Sequence, residues 1–243
     1  TFAPGLTQDF EGYRDSAVRA QWLVEPSKDL SILANVHARD YTGSARLFRA
    51  NLVPVGSNDI PSSFDPKKIA IDGKNESELQ NYGGNLRLRW SLMPGLALYS
   101  ITGYEQVKTF SRGDIDGGVA GVGPGVVPFS SETADGMPKH RQITQELRLE
   151  SDTKGLLDWQ AGVFFFDEDY KIESFSWNTQ GNPAAVPPIA PGSQDGYQRV
   201  RQTNKALAVF GALNYAVTPQ LKLRGGLRYT QDKKDFNVEA YEF

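Results

Sequence analysis

Along most of this chain, apolar and polar residues alternate with a period of two. Leu221, Leu223, Gly225, Leu227 and Tyr229 take one phase, and Lys222, Arg224, Gly226, Arg228 and Thr230 take the other. Leu86, Leu88, Trp90 and Leu92 alternate in the same way with Asn85, Arg87, Arg89 and Ser91. Ile143, Gln145, Leu147 and Leu149 alternate with Thr144, Glu146, Arg148 and Glu150. Leu30, Ile32, Ala34, Val36 and Ala38 face away from Ser31, Asn35, His37 and Arg39, with Leu33 the misfit. Successive side chains of a strand point to opposite faces, so this pattern demands β-structure with one apolar and one charged face. Helical periodicity is weak throughout, and Gly and Pro interrupt any candidate helix.

Less regular strands fill the gaps. Val18, Ala20, Trp22 and Val24 oppose Arg19 and Gln21. Residues 96–110 are ambiguous in phase, because Ala97, Tyr99 and Ile101 compete with Leu96 and Leu98. Residues 156–177 and 206–217 complete a set of about eight strands in about four hairpins. The connectors fall into two classes that alternate strictly. Residues 25–29, 93–95, 152–155 and 218–220 are short. Residues 41–79, 111–140 and 178–199 are long and rich in Gly, Pro, Ser, Asn and Asp. Such long loops are uncommon in compact soluble domains. They are the rule in outer-membrane barrels, which have short periplasmic turns and long extracellular loops.

Composition narrows the choice further. The chain of 243 residues has no cysteine, so disulfides and thiolate metal sites are excluded. A net charge of -3 gives no support for nucleic-acid binding. Mean hydropathy is -0.45, and no apolar run approaches the length of a spanning helix. Barrel strands give only a weak signal each and remain compatible with these values. The expected fold is therefore all-β, a transmembrane antiparallel β-barrel in the outer membrane of a Gram-negative bacterium. Trp22, Trp90, Trp159, Tyr41, Tyr104, Tyr170 and Tyr229 are candidates for its interfacial belts. If the short turns are periplasmic, both chain ends lie outside, so the piece reads as an internal slice of a larger barrel.

Three segments carry a family resemblance: Leu98-Tyr-Ser-Ile-Thr-Gly-Tyr104; residues 141–151 (RQITQELRLES) with 159–166 (WQAGVFFF); and residues 208–232 (AVFGALNYAVTPQLKLRGGLRYTQD). They resemble the barrel domain of TonB-dependent outer-membrane receptors, of the type abundant in sphingomonads and related bacteria. The opening residues 13–41 are similar as well. The resemblance implies that residues 1–243 are part of a barrel of about 22 strands. It also implies a plug domain and a TonB box, neither recognisable in this sequence. The implied function is energised uptake of a scarce nutrient, first a ferric siderophore, with a cobalamin or a glycan as the other options. The implied partners are outer-membrane lipid and lipopolysaccharide, the receptor's own plug, and the TonB–ExbB–ExbD complex. A passive porin and a secreted β-sandwich binding module are the competing expectations.

No enzyme constellation is present, and no cofactor or metal is expected. His37 and His140 are distant in sequence and lack a clustered acidic partner. Asp114 and Asp116 precede glycines, but the glutamate that would complete an EF-hand is missing. Residues 117–125 lack the lysine and serine of a phosphate loop and read as an irregular loop. Asp167, Glu168 and Asp169 read as a solvated rim. Arg87, Arg89, Glu146, Arg148, Glu150, Lys222, Arg224 and Arg228 are expected on a polar lumen wall. Ligand contacts are expected from loop aromatics, with Phe48, Phe110, Phe129, Trp177 and Tyr197 the first candidates. Residues 237–241 read as loop.

Overall fold

The computed structural model describes residues 10–121, 126–151, 155–184 and 193–243. Eight long strands form one antiparallel sheet in chain order. They are β1 (Tyr13–Ser27), β2 (Leu30–Gly43), β3 (Glu76–Met93), β4 (Leu96–Asp114), β7 (Glu132–Ser151), β8 (Leu157–Trp177), β9 (Gln194–Ala216) and β10 (Lys222–Glu242). Two short strands, β5 (Val119–Ala120) and β6 (Val126–Val127), pair in parallel within the loop between β4 and β7. No helix among the described residues is long and apolar enough to cross a membrane.

The expected alternation of connectors is present. Short connections join β1 to β2, β3 to β4, β7 to β8 and β9 to β10, and long ones join β2 to β3, β4 to β7 and β8 to β9. At the β3–β4 turn, Pro94 precedes Gly95 with a φ of +86°, the order a type II turn requires. The sheet itself departs from expectation. Among the described residues β1 pairs only with β2 and β10 only with β9, so the sheet is open and the expected closed transmembrane barrel is overturned. Period two dictates which face a side chain takes. Closure depends on hydrogen bonds between edge strands, and the alternation carries no information about those. The β-sandwich alternative falls too, because the eight long strands lie side by side in a single sheet.

Cross-strand register turns the local alternation into two continuous faces. Trp22 lies opposite Ala34, Ala34 opposite Leu86, and Leu86 opposite Thr102. The row continues through Gln145, Phe165, Leu207 and Gln231. The neighbouring row on the other face runs Leu23, Leu33, Arg87, Ile101, Glu146, Phe164, Ala208 and Thr230. Leu33, the misfit of the β2 pattern, thus meets Leu23 on the charged face, in a row that also holds Ile101, Phe164 and Ala208. The ambiguous phase of β4 is settled by its neighbours. Leu98 aligns with Trp90 and Leu149 on the apolar face, while Tyr99 aligns with Arg89 and Arg148 on the charged one.

The apolar face carries many large side chains exposed to the surroundings, among them Trp22, Val36, Leu86, Trp90, Leu147, Val163, Val209, Leu213 and Tyr229. A contiguous apolar surface of this extent marks a contact with a membrane or a partner. Of the aromatics assigned to interfacial belts, Tyr41 and Tyr170 lie on the charged face instead. A strand needs about 9 to 11 residues to cross the hydrocarbon layer when tilted. β7 to β10 have 20, 21, 23 and 21 residues, so each continues well past the apolar rows. Part of this added length comes from residues expected as loop. Residues 237–241 belong to β10, because Asn237 to Tyr241 pair in register with Arg201 to Tyr197.

Glycine shapes the charged face at one point. Gly162 lies opposite Phe210, and a Cβ there would fall 2.6 Å from the Phe210 ring and 2.7 Å from the Leu147 carbonyl oxygen. The ring thus covers the glycine, and the backbone on the other side cannot yield. Gly162→Val is expected to destabilise the sheet by about 1 to 3 kcal/mol. The measurement is urea unfolding in detergent, and an unchanged midpoint would show that the ring swings away at no cost.

Candidate functional site

Two regions hold the chemistry: the charged face of the sheet and the loop layer at its long-loop end. The register brings all eight charged residues singled out from the sequence onto one face. Arg89, Tyr99, Arg148, Gly162, Phe210 and Arg228 form a single row across β3 to β10. Tyr99 is the hub of its first half. Its hydroxyl accepts a hydrogen bond from Arg89 Nε at 3.1 Å, and the guanidinium groups of Arg87 and Arg148 lie 5.6 and 5.2 Å from its ring centroid. Arg148 also pairs with Glu146 at 3.0 Å and with Glu150 at 2.6 Å. Arg228 lies over Phe164 and Phe210 at 5.1 and 5.9 Å. Lys222 and Arg224 are exposed near the β9–β10 turn.

The histidines have partners that sequence distance concealed. His37 lies 3.1 Å from Glu105, and His140 lies 2.8 Å from Glu168, both on the charged face. Each pair is brought together by strand register, and neither gathers a third metal ligand among the described residues.

The loop layer is knotted by carboxylates. Asp114, at the outer end of β4, accepts hydrogen bonds from the backbone N–H of Asp72, Gly73 and Gly117. Asp116 accepts from the N–H of Gly118 and Ser131, and Asp72 accepts from the N–H of Ala120 and the hydroxyl of Ser130. Their ligand oxygens all lie within 4.8 Å of one another. This hard oxygen set is of the kind that holds calcium or magnesium. Most of these oxygens, however, already accept N–H or O–H bonds that tie the loops to the sheet. Beside them, buried Glu132 pairs with Arg112, whose guanidinium sits 4.0 Å from the centroid of the Trp177 ring. Asn178, with a φ of +53°, donates to the Ser130 carbonyl and accepts from the Asn182 N–H. Of these, sequence reading singled out only Asp114, Asp116 and Trp177. Asp72, Arg112, Glu132 and Asn178 carried no signal beyond ordinary turn chemistry.

Burial pushes the Asp114 carboxyl up to about 7, and the charge of Asp116 adds to this against the pull of the backbone donors. Burial raises Asp116 as well.

The five aromatics proposed for ligand contact do not converge. Trp177 stacks on Phe175 at 6.0 Å, Phe175 meets Tyr197 at 5.1 Å, and Tyr197 stacks on Tyr241 at 6.2 Å. Tyr197 also donates its hydroxyl to Glu173. This stack continues the apolar side of the sheet beyond its charged rows, and its ring faces are largely occupied. Phe110 lies near Phe175, lining a groove of about 410 Å³ with Lys108 and Glu173. Phe129 packs against Gly181, and Phe48 is exposed in the β2–β3 loop.

A family profile for the TonB dependent receptor-like β-barrel matches residues 24–241. The chain belongs to this family. Among solved structures it is similar to the ferric yersiniabactin uptake receptor FyuA from Yersinia pestis, with a TM-score of 0.67 and 12% identity. That likeness covers 96% of this chain and 32% of FyuA, so the chain spans about a third of that receptor's length. At this identity the likeness shows the fold alone, and it does not single out a sphingomonad-type receptor. No curated protein matches the chain.

Members of the TonB-dependent receptor family are transport proteins and not enzymes. The family match gives an outer-membrane context to the two faces and assigns no role to any single residue of the charged row or the loop layer.

The carboxylate knot should respond to pH. An unfolded aspartate titrates near 3.9, below the folded Asp114. Between about pH 4 and pH 7 the folded loop therefore holds a proton that the unfolded loop releases, and its packing weakens as pH rises through that window. Hydrogen-exchange protection of the Gly73 and Gly117 amides, corrected for intrinsic rates, should fall from pH 5 to pH 8. Protection that stays flat or rises over this range would contradict the assignment.

Proposed function

We propose that this chain forms the membrane-facing sheet of an outer-membrane TonB-dependent receptor that takes up a scarce nutrient with energy supplied from the inner membrane. The match of the family profile to residues 24–241 carries this reading, and the segregation of the two faces supports it. On this reading residues 1–243 are part of the receptor's strand domain and the apolar face meets lipid. The charged face, with Arg87, Arg89, Glu146, Arg148, Glu150, Lys222, Arg224 and Arg228, is turned away from lipid. It faces a plug domain that engages the TonB–ExbB–ExbD complex. A ferric siderophore is the first substrate class to test, because FyuA is a ferric yersiniabactin uptake receptor. A cobalamin or a glycan is the next.

Ligand capture is assigned to the loop layer. Phe48 and Phe129 lead there, with Trp177 and Tyr197 behind them because their stack is already filled, and Phe110 in the groove beside that stack. The test is uptake of an iron-55-labelled siderophore panel by cells carrying the full-length receptor, with and without a working TonB system. Uptake that needs TonB is expected, and Phe48→Ala with Phe129→Ala should weaken binding about ten-fold, the loss of one interface anchor. Uptake independent of TonB, with open single-channel conductance in planar bilayers, would establish the passive porin instead.

A further inference from the structure

We infer that Lys139, Arg141, Arg201 and Lys205 form a docking site for the phosphates of an outer-leaflet lipid. This rests on the membrane-facing assignment of the apolar face and names the partner that face meets at its outer boundary.

The four cations lie on the apolar side of the sheet, in the rows that follow the apolar ones. Phe165 and Leu207 face each other in the apolar rows. Two residues further out, Asp167 lies opposite Ile143 and Lys205, and the next row joins Arg141 to Asp169. The row after that joins Lys139, Lys171 and Arg201. Two carboxylates serve the four cations. Asp169 holds Lys139 at 2.6 Å and Arg201 at 3.4 Å, and Asp167 holds Lys205 at 3.5 Å and Arg141 at 4.0 Å. Lys171 and Arg199 have acids of their own in Glu173 and Glu239. Four cations against two shared carboxylates leave an excess of two positive charges.

The burial is asymmetric in a telling way. The Asp169 and Asp167 side chains are 8% and 19% exposed, whereas Lys139, Arg141, Arg201 and Lys205 are 46%, 53%, 60% and 64% exposed. The acids lie against the sheet and the cations project outward. Lys139 is held tightly at 2.6 Å, whereas Arg201, Lys205 and Arg141 lie 3.4, 3.5 and 4.0 Å from their carboxylates, so a phosphate can recruit these three outer cations while the short pair stays intact. Basic side chains at a lipid surface attract anionic headgroups. The excess charge sits directly outside the apolar rows, where a lipid whose chains lie on that face would place its headgroup. That continuity favours a lipid over free phosphate.

The test uses the full-length receptor in detergent and compares wild type with Arg201→Gln/Lys205→Gln. A second variant, Lys68→Gln, removes an exposed loop cation away from the site. The probes are diphosphoryl lipid A, the same lipid with both phosphates removed, and inorganic phosphate. Wild type should bind the diphosphorylated lipid at least about five-fold more tightly than the dephosphorylated one. The double variant should lose that preference and Lys68→Gln should keep it. Inorganic phosphate should not compete at equal concentration. Equal binding of the two lipids by wild type, an unaltered preference in the double variant, or full competition by inorganic phosphate each overturns the site. Quenching of Trp22 and Trp90 by brominated lipid in vesicles separates the two readings. Quenching without phosphate preference overturns the phosphate site alone, and absence of quenching overturns the membrane-facing assignment with it.

Discussion

The structure depends on one constraint, the register of the backbone ladder between neighbouring antiparallel strands. Each strand by itself is only a ribbon with an apolar side and a polar side. Register makes those sides coincide, so that Trp22, Ala34 and Leu86 fall in one row and Leu33, Arg87 and Glu146 in the next. A slip of one residue would carry a run of arginines onto the apolar face. At mid-depth in lipid each such arginine would cost about 2 to 4 kcal/mol. Register is therefore under strong selection by its surroundings as well as by its hydrogen bonds.

The same ladder explains where the chemistry sits. Strands β7 to β10 are about twice as long as a membrane crossing needs, and their outer halves carry charged groups that the apolar rows lack. On one side they present paired charges and then an aromatic stack from Trp177 to Tyr241. At their ends they support a loop layer fastened by carboxylates together with the buried side chains of Ile71 and Val127. Asp72, Asp114 and Asp116 accept backbone N–H groups from segments far apart in sequence. Buried acids of this kind order loops that have little apolar surface of their own. They also make the order of those loops sensitive to protonation.

The charged face shows how aromatic residues moderate a concentration of arginine. Tyr99 takes a hydrogen bond from Arg89 and lies beneath Arg87 and Arg148, while Phe164 and Phe210 lie beneath Arg228. Guanidinium groups held over rings stay charged and partly desolvated, and here their planar edges also donate, Arg148 to Glu146 and Glu150 and Arg228 to Thr230. A wall built in this way suits contact with an acidic domain surface or an anionic solute.

The sequence by itself determined strand content, the face of nearly every side chain and the alternation of short and long connections, because period two and turn chemistry are local properties. Its alternation put Arg87, Arg148 and Arg228 each opposite an apolar phase, and the register joins them on one face, although β4 was ambiguous until its partners resolved it. Only the tertiary structure decided that the sheet is open, that residues 237–241 extend a strand, and that His37 and His140 each meet a glutamate. It also decided that Asp72 joins Asp114 and that Arg112 joins Glu132 and Trp177. These are contacts between residues tens of positions apart. They follow from which strand edge meets which neighbour and how far each ladder runs, and the alternation within a strand does not encode either.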